Sequence, residues 1–404
     1  MTDSLGFSPQ RLARLDAHLA EKYLAPRRLP CALTLVARHG EIAHLGVQGL
    51  ADVERGIPAR EDTIFRIYSM TKPITSVALM MLVEQGKIAL DDPVHRYIPE
   101  WKNLGIYVAG THRMGFQTRP TSGPMRVIDL MRHTAGLTYG FQLRTNVDEA
   151  YRREKIGEIE KAGTLEDMIR TLAKLPLEFP PGEAWNYSVA TDVVGWLVQV
   201  VSGRPFEQFL AEEIFQPLGM VDTGFHVREG QGHRFAACYQ LGRDGTIALQ
   251  DDPTTSSFLH PPTFVSGGGG LVSTAHDYLQ FARMLANGGT LNGHRIISRK
   301  TLDLMTANHL PGGVDLPAMS RSLFSEAQYD GTGFGLGFGV TTASHKTMMP
   351  GSTGDYFWGG AASTFFWVDP EEDIIGIFMT QFMPSSTWPV RKEMRTMVYA
   401  ALDD

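Results

Sequence analysis

The chain has 404 residues, 43% hydrophobic and 20% charged, with a formal net charge of −7. That balance suits a globular protein with a sizeable core in two lobes, and it lacks the basic footprint of a nucleic-acid binder. Two cysteines, Cys31 and Cys238, are too few for a disulfide framework; with no signal-peptide pattern at the N-terminus and no apolar run near the ~18 residues that span a bilayer, a soluble cytoplasmic protein is expected.

Leu12, Leu15, Leu19 and Tyr23 follow helical spacing with charges between them, which predicts an amphipathic helix over 8–23. Two β-rich runs, 32–38 and 41–47, are split by His39-Gly40, a hairpin signal. After a strand-like Ile64-Phe-Arg-Ile comes Tyr68-Ser69-Met-Thr-Lys72-Pro73, and then a stretch apolar nearly all round to Gln85. That stretch reads as a buried helix ended by Gly86 at C′, with Pro73 tolerated in its first turn.

From 90 to 262 helical patterns dominate, and 105–124 reads as a long loop. Gly267–Gly270 lead into a helix over 277–286. Two further β-rich runs, 362–368 and 374–380, are joined by 369–373, and a helix closes the chain from about 390. The expected architecture is α+β. An antiparallel sheet flanked by helices forms from the N- and C-terminal segments, 1–89 and 263–404, and a mostly helical lobe, 90–262, is inserted between them.

Ser69 and Lys72 are three residues apart, so on a helix they share a face and can touch. A serine hydroxyl is a weak nucleophile until an adjacent base takes its proton. Lysine serves as that base only where burial or a nearby cation pushes its pKa towards neutrality, a shift of roughly three units or about 4 kcal/mol. The head of a buried, apolar helix is a place where this happens, and its positive end favours developing negative charge.

Residues 62–73 resemble the nucleophile segment of the class C β-lactamase and penicillin-binding-protein superfamily, whose S-x-x-K motif carries the acylated serine. The likeness is greatest to the family VIII carboxylesterases of that superfamily. Four more segments fit the same pattern in order: 129–137 (DLMRHTAGL), 180–189 (PPGEAWNYSV), 217–220 (PLGM) and 268–274 (GGGLVST). The resemblance implies a β-lactamase/transpeptidase-like fold. It also implies that Tyr187, in Asn186-Tyr187-Ser188-Val189, faces Ser69 from the helical lobe and helps to move a proton. Val189 stands where the family has an asparagine, which removes a polar contact useful for a β-lactam amide.

In place of the superfamily's Lys-Thr-Gly, the resemblance points to Trp358-Gly359-Gly360-Ala361, matching the esterases' Trp-Gly-Gly. The two glycines let the backbone approach a ligand closely. The N–H groups of Ala361 and Ser69 are then expected to form an oxyanion hole, in which one donor is worth about 3 to 4 kcal/mol of barrier. Trp358, without a lysine's charge, suits an uncharged ester. Tyr139, Phe141, Trp185 and Phe357 flank these segments and are expected to line an acyl pocket.

Other signals carry less. Gly267–Gly270 has no Lys-Ser or Lys-Thr after it and reads as a turn, not a phosphate cradle. The histidines show no metal-ligand spacing, and His133, in a loop signature, reads as structural or as a support behind the site residues. Gly351-Ser352-Thr353-Gly354 is not a nucleophile elbow. The function expected is hydrolysis of short-chain acyl esters through an acyl-enzyme on Ser69, with no cofactor, no metal and a small-molecule ester as substrate. Acyl transfer to a hydroxyl acceptor, as in the similar fungal polyketide acyltransferases, is the main alternative. Weak β-lactam hydrolysis and a catalytically silent scaffold on the same fold are two others.

Overall fold

The computed structural model describes residues 5–158, 163–242, 245–321 and 329–403. Its centre is an eight-stranded sheet. Three strands come from the N-terminal part of the chain: β1 (Cys31–Arg38), β2 (Glu41–Asp52) and β3 (Ile57–Pro58). Five come from the C-terminal part: β4 (Thr332–Phe334), β5 (Gly339–Thr341), β6 (Tyr356–Gly359), β7 (Phe365–Asp369) and β8 (Ile374–Met379). The order is β4-β5-β6-β7-β8-β1-β2-β3, antiparallel throughout, so β1 and β8 join the two ends of the chain at the middle of the sheet.

Both faces of the central strands are buried, which explains their nearly continuous apolar sequence. Leu33, Leu35, Phe366, Val368, Ile375 and Ile377 face the large core. That core is built with α2 (Thr71–Glu84), α3 (Ala190–Ser202) and α4 (Ala275–Ala286). Val36, Trp367 and Phe378 face the other way, onto α1 (Pro9–Leu19) and α5 (Val390–Tyr399). Gly376 is paired with Trp367, and a Cβ there would lie 2.1 Å from the indole, so glycine is needed to let the ring lie across β8.

The hairpin turn forms at His39 and Gly40, both at positive φ (52° and 77°), as its sequence signal requires. The helix ending at Glu84 closes with the expected glycine: Gly86 has φ 67°, and Gly86 and Lys87 donate to the Val83 and Leu82 carbonyls. One expectation is overturned. Residues 105–124 are not a loop but contain a β-hairpin, Ile106–Thr111 with Gly115–Arg119. Its side chains are mostly half-exposed or exposed, so no apolar alternation marks it; it is held by main-chain pairing and the packing of Tyr107 on Phe116. Beyond it, Cys238–Leu241 pairs antiparallel with Ile247–Asp251 and in parallel with Phe382–Met383, which follows β8, to form a separate three-stranded sheet. Among the described residues no helix is long and apolar enough to cross a membrane.

Candidate active site

Ser69 sits in a single 3₁₀ turn, Tyr68–Met70, that runs straight into α2. The approach to this turn is pinned. Phe65–Arg66 pairs with Val272–Ser273, and the fully buried Arg66 guanidinium bonds Asp251 and the Ala236 carbonyl. Tyr68 then takes φ 41°, a region that costs a bulky residue on the order of 1 to 3 kcal/mol. Such strain persists where the surroundings over-determine it, and here it turns the chain sharply just before Ser69.

Lys72 lies in the first turn of α2, whose residues 71–82 are all buried, and is itself only 1% exposed. Its Nζ is 3.1 Å from Ser69 Oγ and 3.1 Å from the Tyr139 hydroxyl, and it donates to the Gly268 carbonyl at 2.6 Å. Burial pulls the amine down from its ordinary range to about 7, with the Asp192 charge pulling the other way. An ammonium is costly in such a place; a neutral amine is not.

Tyr187 lies just ahead of α3. Its hydroxyl bonds Ser69 and accepts from Trp358 Nε1 at 3.3 Å, and the Lys72 Nζ stands 4.6 Å from its ring centroid. Burial pushes this phenol well above its usual range, against the pull of its two hydrogen bonds. Tyr139 is raised likewise, by burial and then by the Asp192 charge. His133 packs on Tyr187 with ring centroids 4.9 Å apart; burial, with the Lys72 charge adding, holds it well below its ordinary value and hence neutral.

The third side is the end of β6. Gly360 passes so close to the turn before Ser69 that a Cβ would lie 2.4 Å from the Ile67 carbonyl oxygen. At Gly359 the same atom would meet the Arg391 guanidinium at 2.6 Å. Ala361 follows these two glycines and lines the same cleft as Ser69. The cleft is about 590 Å³ in volume, and Ser69, Tyr139, Phe141, Tyr187, Phe357, Trp358, Gly359, Gly360 and Ala361 all line it.

One expected pocket residue does not. Trp185 is 2% exposed and lies behind Tyr187, the two rings stacked at 6.1 Å, so it supports the tyrosine instead of meeting a ligand. Tyr139 does more than line a wall, because its hydroxyl reaches Lys72. Asp192 and the Gly268 carbonyl were not singled out from the sequence at all. Asp192 was visible as the one acidic residue in an otherwise apolar helix, Ala190–Ser202. Nothing in the sequence marks a carbonyl.

A family model described as Beta-lactamase matches residues 17–396. Esterase EstB of Burkholderia gladioli is 32% identical over 409 residues, covering 96% of this chain and 95% of its own. The Mycobacterium tuberculosis protein Rv1367c is 35% identical over 356 residues, 87% of this chain and 86% of its own. Among solved structures, EstCE1, described as a hydrolase with promiscuous acyltransferase activity, superposes with a TM-score of 0.80 at 27% identity, covering 96% of this chain and 99% of its own.

Proposed function

Because the chain belongs to the Beta-lactamase family, with the α+β fold its motifs implied, we propose that it is a carboxylic ester hydrolase that works through an acyl-enzyme on Ser69. The observation that carries this reading is the lysine amine held near 7 at 3.1 Å from a serine hydroxyl, inside a cleft. In acylation the neutral Lys72 amine takes the Ser69 hydroxyl proton, directly or through the Tyr187 phenol, while Oγ bonds the ester carbon. The carbonyl oxygen gains the negative charge, stabilised by the N–H groups of Ser69 and Ala361. As the C–O bond to the alcohol breaks, the proton passes from Lys72 and Tyr187 to the leaving oxygen. Water then repeats the sequence on the acyl-enzyme and releases the acid.

We take the acyl group to be short and uncharged, seated against the rings of Tyr139, Tyr187 and Trp358, which line the cleft with Ser69. β-Lactam hydrolysis is disfavoured. Val189 is fully buried and offers no polar group where the family has an asparagine, and Trp358-Gly359-Gly360 supplies no ammonium. Acyl transfer is the second reading, favoured by the cleft itself: at about 590 Å³ it has room for an acceptor alcohol beside a short acyl group. Product analysis with a p-nitrophenyl ester and a rising concentration of added alcohol separates the two. Free acid as the main product throughout is expected; new ester that displaces acid at millimolar alcohol would make the enzyme a transferase. Loss of neither p-nitrophenol nor acyl group, at any concentration, would end both readings.

A further inference from the structure

We infer that Asp192 is a positioning residue for this reaction: its carboxylate anchors the glycine strap that aims a carbonyl at Lys72, and it supplies the buried counter-charge for the ammonium formed when Lys72 takes the serine proton. The inference rests on the roles proposed for Ser69 and Lys72.

Asp192 lies in the first turn of α3, 2% exposed, where the helix end favours an anion. One of its oxygens, Oδ1, accepts from Ser266 Oγ at 2.6 Å and from the Gly268 N–H at 2.9 Å. The same residue, Gly268, presents its carbonyl to Lys72 Nζ at 2.6 Å. A Cβ at 268 would lie 2.7 Å from Asp192 Oδ2 and 3.1 Å from the Tyr139 hydroxyl, so the strap threads between carboxylate and phenol and only glycine passes. Thr75, one turn beyond Lys72 on α2, donates to the Gly267 carbonyl at 2.8 Å and ties the strap to the helix that carries the amine. The glycine run, read from sequence as a turn, is thus a clamp joining α2 to α3.

The charge matters as much as the clamp. Among the described residues Lys72 meets Ser69, Tyr139 and the Gly268 carbonyl, and no carboxylate directly. The titratable groups around it are His133 and Tyr139 from the loop between the helices Val127–Met131 and Asn146–Arg153, Tyr187 from the turn ahead of α3, and Asp192 from α3; the Arg391 charge of α5 acts on Tyr187. His133 and both phenols are held neutral, and Asp192 is the one carboxylate of the group; burial raises its carboxyl above the ordinary range, opposed by the Ser266 hydrogen bond, the Lys72 charge and the Gly268 N–H. Placed behind one residue of backbone, the carboxylate stabilises the ammonium as it forms without locking the amine in that state beforehand. Proton balance is unchanged: the proton leaves Oγ for Nζ and leaves Nζ for the departing alkoxide, and Asp192 stays ionised.

The test is the pH profile of the full chain on a neutral p-nitrophenyl ester. Asp192→Asn keeps an acceptor for Ser266 and Gly268 but removes the charge. Its acid limb is expected to move to lower pH by about one unit and its plateau kcat to fall about tenfold, with KM little changed. Asp192→Glu, which restores the charge, is expected to bring the limb back. A limb that stays in place in Asp192→Asn, with only KM raised, overturns the inference. Should Asp192→Asn not fold, Ser266→Ala serves: it removes one anchoring bond, and a plateau three- to tenfold lower is expected, about the worth of a hydrogen bond. An unchanged plateau there counts against the clamp. A Lys72→Ala control that retains full activity would instead refute the underlying reading of the site, and is thereby distinguished.

Discussion

Replacing Lys72 with methionine is expected to lower kcat/KM for a neutral short-chain ester by about three to four orders of magnitude, the upper range for losing a positioned base. The reason lies in the comparison of the two groups that could take the serine proton. The Lys72 amine is held near 7, so close to half of it is free base at neutral pH. The Tyr187 phenol is pushed far above 10 by burial, so its anion is negligible there. Lys72 therefore starts the reaction. In the native chain kcat/KM is expected to rise with pH through about 7 and level off above it, as the amine loses its proton. The same depression makes a second readout. In the unfolded chain a lysine titrates near 10.4, so at neutral pH the folded state bears a penalty on the order of 4 kcal/mol for holding Lys72 at about 7. The penalty is greatest below pH 7 and is relieved as pH rises towards 10. Lys72→Met should thus melt at a higher temperature than the native chain at pH 7, with the gap narrowing at pH 10. Thermal melts at the two pH values check it, and a variant that is both inactive and less stable at pH 7 would mean the lysine is not desolvated as described.

The Tyr187→Phe substitution is expected to cost about a hundredfold in kcat, less than Lys72→Met, with little change in KM. Tyr187 bonds Ser69 and is oriented by Trp358 Nε1, which places its hydroxyl to relay a proton between the serine oxygen and the leaving alcohol. Its ring also faces the Lys72 Nζ at 4.6 Å, and phenylalanine keeps that packing while removing the relay. Steady-state kinetics with two leaving groups gives the check. The loss should be larger for an ethyl ester than for a p-nitrophenyl ester, because an alkoxide needs the proton and a nitrophenolate does not. Equal losses would assign Tyr187 to orientation alone, and a loss exceeding that of Lys72→Met would make it the base.

How much of this was legible in the sequence depends on where the information lies. The outer frame was readable because the helices carry their own periodicity and the central strands read as short β-rich apolar runs: 32–38 with 41–47 form β1 and part of β2, and the runs 362–368 and 374–380 contain β7 and β8 within a residue at their ends. The hairpin within 106–119 was missed, since strands wetted on both sides show no alternation to read. The helix head with Ser69 and Lys72 announced itself by three-residue spacing against an apolar run. Tyr187 needed the family resemblance to be found, and the structure brings it to Ser69. Trp185 illustrates the limit of proximity in sequence: two residues from Tyr187, it points into the core. Tyr139 and Gly268 meet Lys72 from 67 and 196 residues away, and the sequence marked the first only as a pocket wall and the second only as part of a turn. Such contacts belong to tertiary packing, and only the lone acid of α3 left a trace that sequence alone could have followed.

The most direct test is intact-mass spectrometry of the chain quenched within seconds of mixing with a slowly hydrolysed activated ester, followed by peptide mapping, run beside Ser69→Ala. The native chain should gain the mass of one acyl group, mapped to the peptide that contains Ser69, and Ser69→Ala should gain none. An adduct of equal yield in both would place the nucleophile elsewhere and contradict the account at its root.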